Sequence, residues 1–273
     1  MHNTLPKLAV KDFNLSHTLL CGQLFRVKKI DDWFYVAAKN RIFKIRQLSE
    51  HVEYYGVGKK FLTNFFALDE PYGDILSQIN KDSHMNSAIG KFYGLRIVRQ
   101  DPWECLISFM CSSAANIPKI QLNLENLSEY FGEKVRLHDF EWHTFPRPGK
   151  LDDYQQILMA KTGFRAVHIK KANDTINDAF LTALNKLPYP EAKKALLQIP
   201  GVGNKIADCV LLFSLGFSEA FPIDTWIKKI LQRLYFKDET VSNNELHTFG
   251  VHYFGKYAGY AQQFLYMLAR ENK

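Results

Sequence analysis

The chain has 273 residues and carries 35 Lys and Arg against 28 Asp and Glu, a formal charge of +7 at pH 7. With 47% hydrophobic and 23% charged residues, the composition is that of an ordinary soluble globular protein. The positive balance favours a polyanionic partner without identifying one.

In chain order, residues 1–6 (Met-His-Asn-Thr-Leu-Pro) lack the apolar core of a secretion leader. Residues up to about 70 read as sheet. Residues 22–27 form a strand with Gly22 at its entry, and residues 33–38 and 41–46 form two further strands joined by Lys39-Asn40 as a hairpin. The second of these alternates, with one buried face and one wet Arg/Lys face. From Asp101 the pattern turns helical. Asp101-Pro102 is an N-cap followed by proline in the first turn, with an apolar face through Cys105, Leu106, Phe109 and Met110. Asn116 with Pro118 opens a second helix that stops at Gly132, and a third follows Gly163 as far as Ile176. Residues 203–215 make a helix closed by Gly216, Asp224 caps the next, and residues 257–270 supply the last.

The expected architecture is therefore α+β with segregated elements: an N-terminal antiparallel twisted β-sheet over residues 1–99 and an all-helical body over residues 100–273, in two lobes with a cleft between them. No repeat is visible, and the longest apolar stretch, around residues 209–215, is too short to span a bilayer. The four cysteines (Cys21, Cys105, Cys111, Cys209) form no C-x-x-C pair, so they read as buried reduced thiols of an intracellular protein, not metal ligands.

The most informative segment is Leu196-Leu197-Gln198-Ile199-Pro200-Gly201-Val202-Gly203-Asn204-Lys205, with Asp224 nineteen residues after the lysine. An apolar run ending in Pro-Gly-Val-Gly is a tight hairpin between helices. Gly201 and Gly203, lacking Cβ, are free to take positive φ and to let another molecule approach the backbone. The N–H groups that open the second helix have no intrahelical partner and suit an anion, which for a basic chain is a DNA phosphate. Lys205 sits in that first turn. The positive end of the helix and the apolar neighbours Ile206 and Val210 favour the neutral amine, the nucleophilic form. Asp224 is first a helix N-cap. A carboxylate fixed there also suits stabilising an oxocarbenium-like sugar or moving protons for the lysine.

This constellation resembles the helix-hairpin-helix DNA glycosylases, and among them the 8-oxoguanine DNA glycosylases. The likeness extends through Gly22-Gln23-Leu24-Phe25-Arg26, Asp101-Pro102-Trp103-Glu104-Cys105-Leu106-Ile107-Ser108-Phe109, Cys111-Ser112-Ser113, Gly163-Phe164-Arg165-Ala166 and Tyr257-Ala258-Gly259-Tyr260-Ala261-Gln262. The resemblance implies base-excision repair: Lys205 attacks the sugar C1′ and forms a Schiff base that leads to strand cleavage, assisted by Asp224, on a base flipped out of the duplex. It implies that the Gly22 carbonyl accepts from the N7–H that separates 8-oxoguanine from guanine, a difference of roughly 1–3 kcal/mol. It implies that Cys209 and Tyr266 sandwich the base and that Gln262 meets its Watson–Crick edge. Asn116, Lys119, Phe164, Arg165, Gly201 and Gly203 are the implied DNA contacts. The carbonyls of Leu197, Ile199 and Val202 are the implied seat of a structural monovalent cation; no organic cofactor or catalytic metal is implied. The expected partner is duplex DNA carrying 8-oxoguanine, bound by a monomer in the nucleoid or cytoplasm of a prokaryote or the nucleus of a eukaryote.

Several positions depart from the family pattern. Ala114 stands where an asparagine fills the gap left by the flipped nucleotide. Lys119 replaces one of two arginines that read the orphaned cytosine, and Arg165 matches the other. Phe164 replaces a wedging tyrosine. Trp226 and Ala269 replace a phosphate-contacting histidine and its aspartate, which implies an altered phosphate contact. Because lysine lacks the planar fork of arginine, the base opposite the lesion is expected to be read less strictly. Two other readings fit parts of the sequence. A glycosylase for alkylated bases would need no lysine and would carry an electron-rich aromatic pocket, and a non-enzymatic hairpin module would leave Asp224, Gln262 and Cys209 unexplained.

Overall fold

The hairpin at Lys39-Asn40 joins two neighbouring strands of the sheet, residues 33–38 and 41–48. Both residues have positive φ (50° and 57°), which matches the twist of the strands they join, so Ala38 pairs with Arg41 and Phe34 with Ile45. The computed structural model describes residues 5–271; residues 1–4, part of the leader reading, lie outside the described residues. Strands β1 (Lys7–Ala9), β2 (Val27–Ile30), β3 (Trp33–Ala38), β4 (Arg41–Leu48) and β5 (His51–Tyr55) pair antiparallel in the order β1-β5-β4-β3-β2. Helix α1 (Leu15–Leu20) joins β1 to β2, and α2 (Lys59–Phe65) follows the sheet. Phe34, Phe43 and Ile45 on the inner face of the sheet pack with Leu62 and Phe65 of α2.

Two expectations for this region are corrected. The segment 22–27 is not a strand: Gly22 lies in a turn and pairing begins only at Val27. Side-chain bonds replace the ladder there, because Gln23 Nε2 donates to Thr18 O (3.0 Å) and Arg96 O (2.8 Å) while Gln23 Oε1 accepts from Val98 N (2.9 Å). Nor does sheet continue to residue 70, or helix wait for Asp101. Besides α2, α3 (Tyr72–Ile79) and α4 (Ser83–Lys91) are helical, each too short to show a clear period in the sequence. Residues of α3 and α4 pack into the core of the helical body, where Ile75, Ile79, Met85 and Ala88 are fully buried.

The body comprises α5 (Pro102–Cys111), α6 (Ile117–Phe131), α7 (Tyr154–Met159), α8 (Ala166–Thr175), α9 (Asp178–Leu184), α10 (Tyr189–Leu196), α11 (Asn204–Leu215), α12 (Thr225–Tyr235), α13 (Asn243–Phe254) and α14 (Ala258–Glu271). The three expected caps form: Asp101 accepts from Glu104 N (3.0 Å), Asn116 from Lys119 N (3.0 Å) and Asp224 from Ile227 N (2.8 Å). Gly216 closes α11 with a φ of 77°. The body is not purely helical, since β6 (Lys134–Leu137) and β7 (Phe140–His143) form an antiparallel ribbon between α6 and α7. Leu137 and Trp142 of the ribbon cover Ala37 and Ile42, so the outer face of the sheet is partly dry where a wet face was expected. Among the described residues no helix is long and apolar enough to cross a membrane.

Arg26 ties these parts together. It is 2% exposed, 3.5 Å from both Glu104 of α5 and Glu125 of α6, donates to the His143 carbonyl of β7, and faces the Trp142 ring at 5.3 Å. Burial pushes the Glu104 carboxyl up to about 7 despite the guanidinium beside it. Arg26→Met, which strands that carboxylate, is expected to lower unfolding free energy by about 3–5 kcal/mol at pH 8. The deficit should shrink at pH 5, where Glu104 is protonated; urea midpoints at the two pH values measure both.

Candidate active-site cavity

Helices α10 and α11 meet in the hairpin that the sequence signals. Val202 N donates to Ile199 O (3.0 Å) and closes the turn at Pro200-Gly201. Gly201 has the expected positive φ, 87°, and a Cβ there would lie 2.6 Å from Cγ of His168 on α8. Gly203 does not share that conformation. It is extended (φ −99°, ψ 178°) at the N-cap of α11, with open space around any added Cβ. One glycine therefore shapes the turn and the other leaves the mouth of the helix bare. No side chain caps α11, so its opening N–H groups remain available to an anion.

A cavity of about 860 Å³ opens beside this helix. It gathers six residues from four parts of the sequence: Gly22, Lys205 and Cys209, Asp224, and Gln262 and Tyr266. Lys205 Nζ donates to Ser112 Oγ (2.6 Å) and lies 4.9 Å from the centre of the Phe109 ring, and no carboxylate forms an ion pair with it among the described residues. Asp224 is fixed by its cap bond to Ile227. Burial raises its pKa above the ordinary aspartate value, while the helix N–H groups and Lys205 pull the other way.

The floor of the cavity suits a planar polar ring. Gly22 has φ 82°, and a Cβ would meet Tyr266 Oη at 3.0 Å, so only glycine keeps the tyrosine close. The flanking carbonyls are occupied, Cys21 O by Gln263 Nε2 (2.7 Å) and Gln23 O by Gln100 Nε2 (2.6 Å). The Gly22 carbonyl between them accepts no backbone bond among the described residues. Gln262 Nε2 donates to Pro222 O (3.2 Å), and its buried Oε1 has no partner. Burial pushes the Cys209 thiol up to about 12 and the Tyr266 phenol likewise, so both are neutral near pH 7.

The DNA-contact candidates are distributed differently. Asn116 and Ala114 line the rim of the cavity, as does half-buried Trp226; Lys119, Phe164 and Arg165 do not. Phe164 is 64% exposed, as a wedge requires. Arg165 is buried, and its Nε donates to Ser113 O (2.8 Å) and its Nη1 to Thr162 O (3.0 Å), which commits its guanidinium to backbone carbonyls of the protein. Ala114 holds a φ of 49°, the left-handed region that asparagine tolerates better than alanine. Ala269 is buried in the body core. Sequence reasoning passed over Ser112, Phe109 and Phe213, and over Lys228 and Arg270 at the rim. Phe109 and Ser112 stand three apart near the end of one helix, a spacing that could have placed them together.

Comparison with known proteins gives the same direction. The family model for the N-terminal domain of 8-oxoguanine DNA glycosylase matches residues 7–106. A solved structure of MBOgg1 with a low-affinity DNA ligand is 33% identical with a TM-score of 0.93, over 97% of this chain and 95% of that one. The Clostridium acetobutylicum 8-oxoguanine glycosylase/lyase, bound to duplex DNA with cytosine opposite 8-oxoguanine, is 30% identical with a TM-score of 0.91, over 99% and 98%. The Arabidopsis thaliana N-glycosylase/DNA lyase OGG1 is 32% identical over 76% of this chain, which spans 60% of that protein.

The two hairpin glycines give separable expectations. Gly201→Ala combines a left-handed φ with a collision against His168 and should cost about 2–5 kcal/mol of stability. Gly203→Ala should cost only about 1 kcal/mol, the N-cap preference, yet weaken duplex binding by crowding the helix mouth. Thermal melts and fluorescence anisotropy with duplex DNA check the pair.

Proposed function

This chain belongs to the 8-oxoguanine DNA glycosylase family, and from that membership we propose that it excises 8-oxoguanine from duplex DNA in base-excision repair, with Lys205 as nucleophile and strand cleavage following. The observation that carries the reading is the placement of one lysine amine, free of any ion pair among the described residues, in the same cavity as Asp224 and at the mouth of an uncapped helix.

The helix mouth and the hairpin backbone hold a phosphate, and the lesion nucleotide turns out of the stack into the cavity. The Gly22 carbonyl accepts from the N7–H of 8-oxoguanine; guanine presents a bare N7 there, and acceptor would face acceptor. The unpartnered Oε1 of Gln262 accepts from the Watson–Crick edge, while the Cys209 thiol and the Tyr266 ring flank the two faces. With its thiol neutral, Cys209 does not compete with Lys205 as a nucleophile. The Lys205 lone pair then forms a bond to C1′ as the C1′–base bond breaks, its electrons leaving with the base. Loss of a proton from nitrogen and cleavage of the C1′–O4′ bond, with O4′ taking a proton, give the imine; removal of a C2′ proton then breaks the C3′–O bond, and the 3′ phosphate leaves with that electron pair. Asp224 stabilises positive charge on the sugar and exchanges protons at the nitrogen.

A monovalent cation at the hairpin would be held by the carbonyls of Leu197, Ile199 and Val202 and would supply positive charge there; those of Leu197 and Val202 accept no backbone N–H among the described residues and that of Ile199 accepts one. The protein acts as a single chain on one duplex site, and no organic cofactor enters the chemistry.

Incubation with lesion duplex and borohydride should give a covalent protein–DNA adduct that Lys205→Gln abolishes; persistence of the adduct in that variant contradicts the assignment. Because Arg165 is engaged by its own backbone and Lys119 lacks a fork, excision rates opposite C, A, G and T should fall within about tenfold of one another, one base contact being worth roughly 1–3 kcal/mol. A strong preference for C counts against this.

A further inference from the structure

The contact that sets the Lys205 amine in the cavity has a definite polarity. Ser112 follows the last residue of α5, and its Oγ lies 2.6 Å from the Phe109 carbonyl oxygen and 2.6 Å from Lys205 Nζ. A hydroxyl has one proton, and a carbonyl oxygen only accepts. The Ser112 proton therefore goes to Phe109, and the hydroxyl oxygen accepts from the amine. The lysine is bound through an N–H, so the contact does not use the lone pair that attack requires. A carboxylate in this place would hold the ammonium by charge, and an unconstrained hydroxyl would donate to the lone pair; either would oppose attack. The Phe109 ring closes a second side of the amine at 4.9 Å and is itself held by Phe25 (5.5 Å) and by stacking on Phe213 (5.5 Å). Serine, phenylalanine and lysine all line the cavity.

We propose that Ser112 is a positioning residue for the nucleophile: its hydroxyl, locked as an acceptor by the Phe109 carbonyl, holds Lys205 by one N–H and leaves the lone pair directed at the sugar. The inference rests on Lys205 being the attacking amine. In the step itself, the nitrogen–C1′ bond forms while the C1′–base bond breaks with its electron pair going to the base. Ser112 donates no proton, since its only one is committed to Phe109.

Single-turnover excision and borohydride trapping on an 8-oxoguanine duplex, together with affinity for a duplex carrying a tetrahydrofuran abasic analogue, separate positioning from folding. Ser112→Ala should slow excision and trapping together, roughly tenfold to a hundredfold, with affinity for the analogue within about twofold of the parent. Ser112→Thr keeps a hydroxyl and should recover most of the rate. An unchanged rate in Ser112→Ala overturns the proposal, as does joint loss of rate and affinity that threonine does not rescue. Lys205→Gln is measured alongside. An active Lys205→Gln removes the nucleophile assignment and this inference with it, whereas an inert Lys205→Gln beside a fully active Ser112→Ala removes Ser112 alone.

Discussion

Helix α11 runs antiparallel across α5, and the site depends on that crossing. At one end Gln100 N, just ahead of α5, donates to Phe213 O (2.9 Å); midway the Cys105 thiol faces the Cys209 carbonyl at 4.0 Å; at the other end Lys205 reaches Ser112. Both helices are apolar almost all round, as elements buried on every side must be. Packing at this density leaves little freedom in register. A shift of α11 by one residue would turn Lys205 away from the cavity and bring a core side chain into its place. The catalytic geometry is thus fixed by the same apolar contacts that hold the body together.

Around that crossing the work is divided between backbone and side chains. The hairpin and the bare start of α11 offer backbone N–H donors, which suit a phosphate irrespective of base sequence. Within the cavity, the Gly22 carbonyl accepts no backbone bond and Gln262 Oε1 has no partner among the described residues, while the Lys205 amine is held by Ser112. The neighbouring groups Cys21 O, Gln23 O and Gln262 Nε2 are already committed within the protein. A hairpin that only tethered DNA would need the first set without the second. Phe25, Phe109, Phe213, Trp226 and Tyr266 give the cavity aromatic walls, so what speaks against a site for cationic alkylated bases is the lysine, which forms no ion pair among the described residues, and the glycine carbonyl.

The hairpin, the three N-caps and the central β3–β4 pair were legible because each depends on local chemistry: a proline-glycine turn, an Asp or Asn side chain over a helix start, an Asn at positive φ. What escaped depends on distant partners. Residues 22–27 have strand composition, yet Gln23 spends its bonding on Thr18, Arg96 and Val98, and that competition leaves no mark in the local sequence. The inward turn of Arg165 toward Ser113 and the acceptor role of Ser112 are likewise pairings over 52 and 93 residues. Gly203 was legible as a glycine needed near a ligand, but not as one in an extended conformation. For Cys209 and Tyr266, residue type alone indicates core, and only family resemblance singled them out before the fold placed them in the cavity.

The account stands on a covalent bond between one identified nitrogen and the sugar of the damaged nucleotide. Tandem mass spectrometry of the proteolysed, borohydride-reduced protein–DNA complex reads that bond directly. The account predicts a deoxyribose-derived mass on the peptide containing Lys205, localised to its Nζ; the same mass on another lysine, with the Lys205 peptide unmodified, would contradict it.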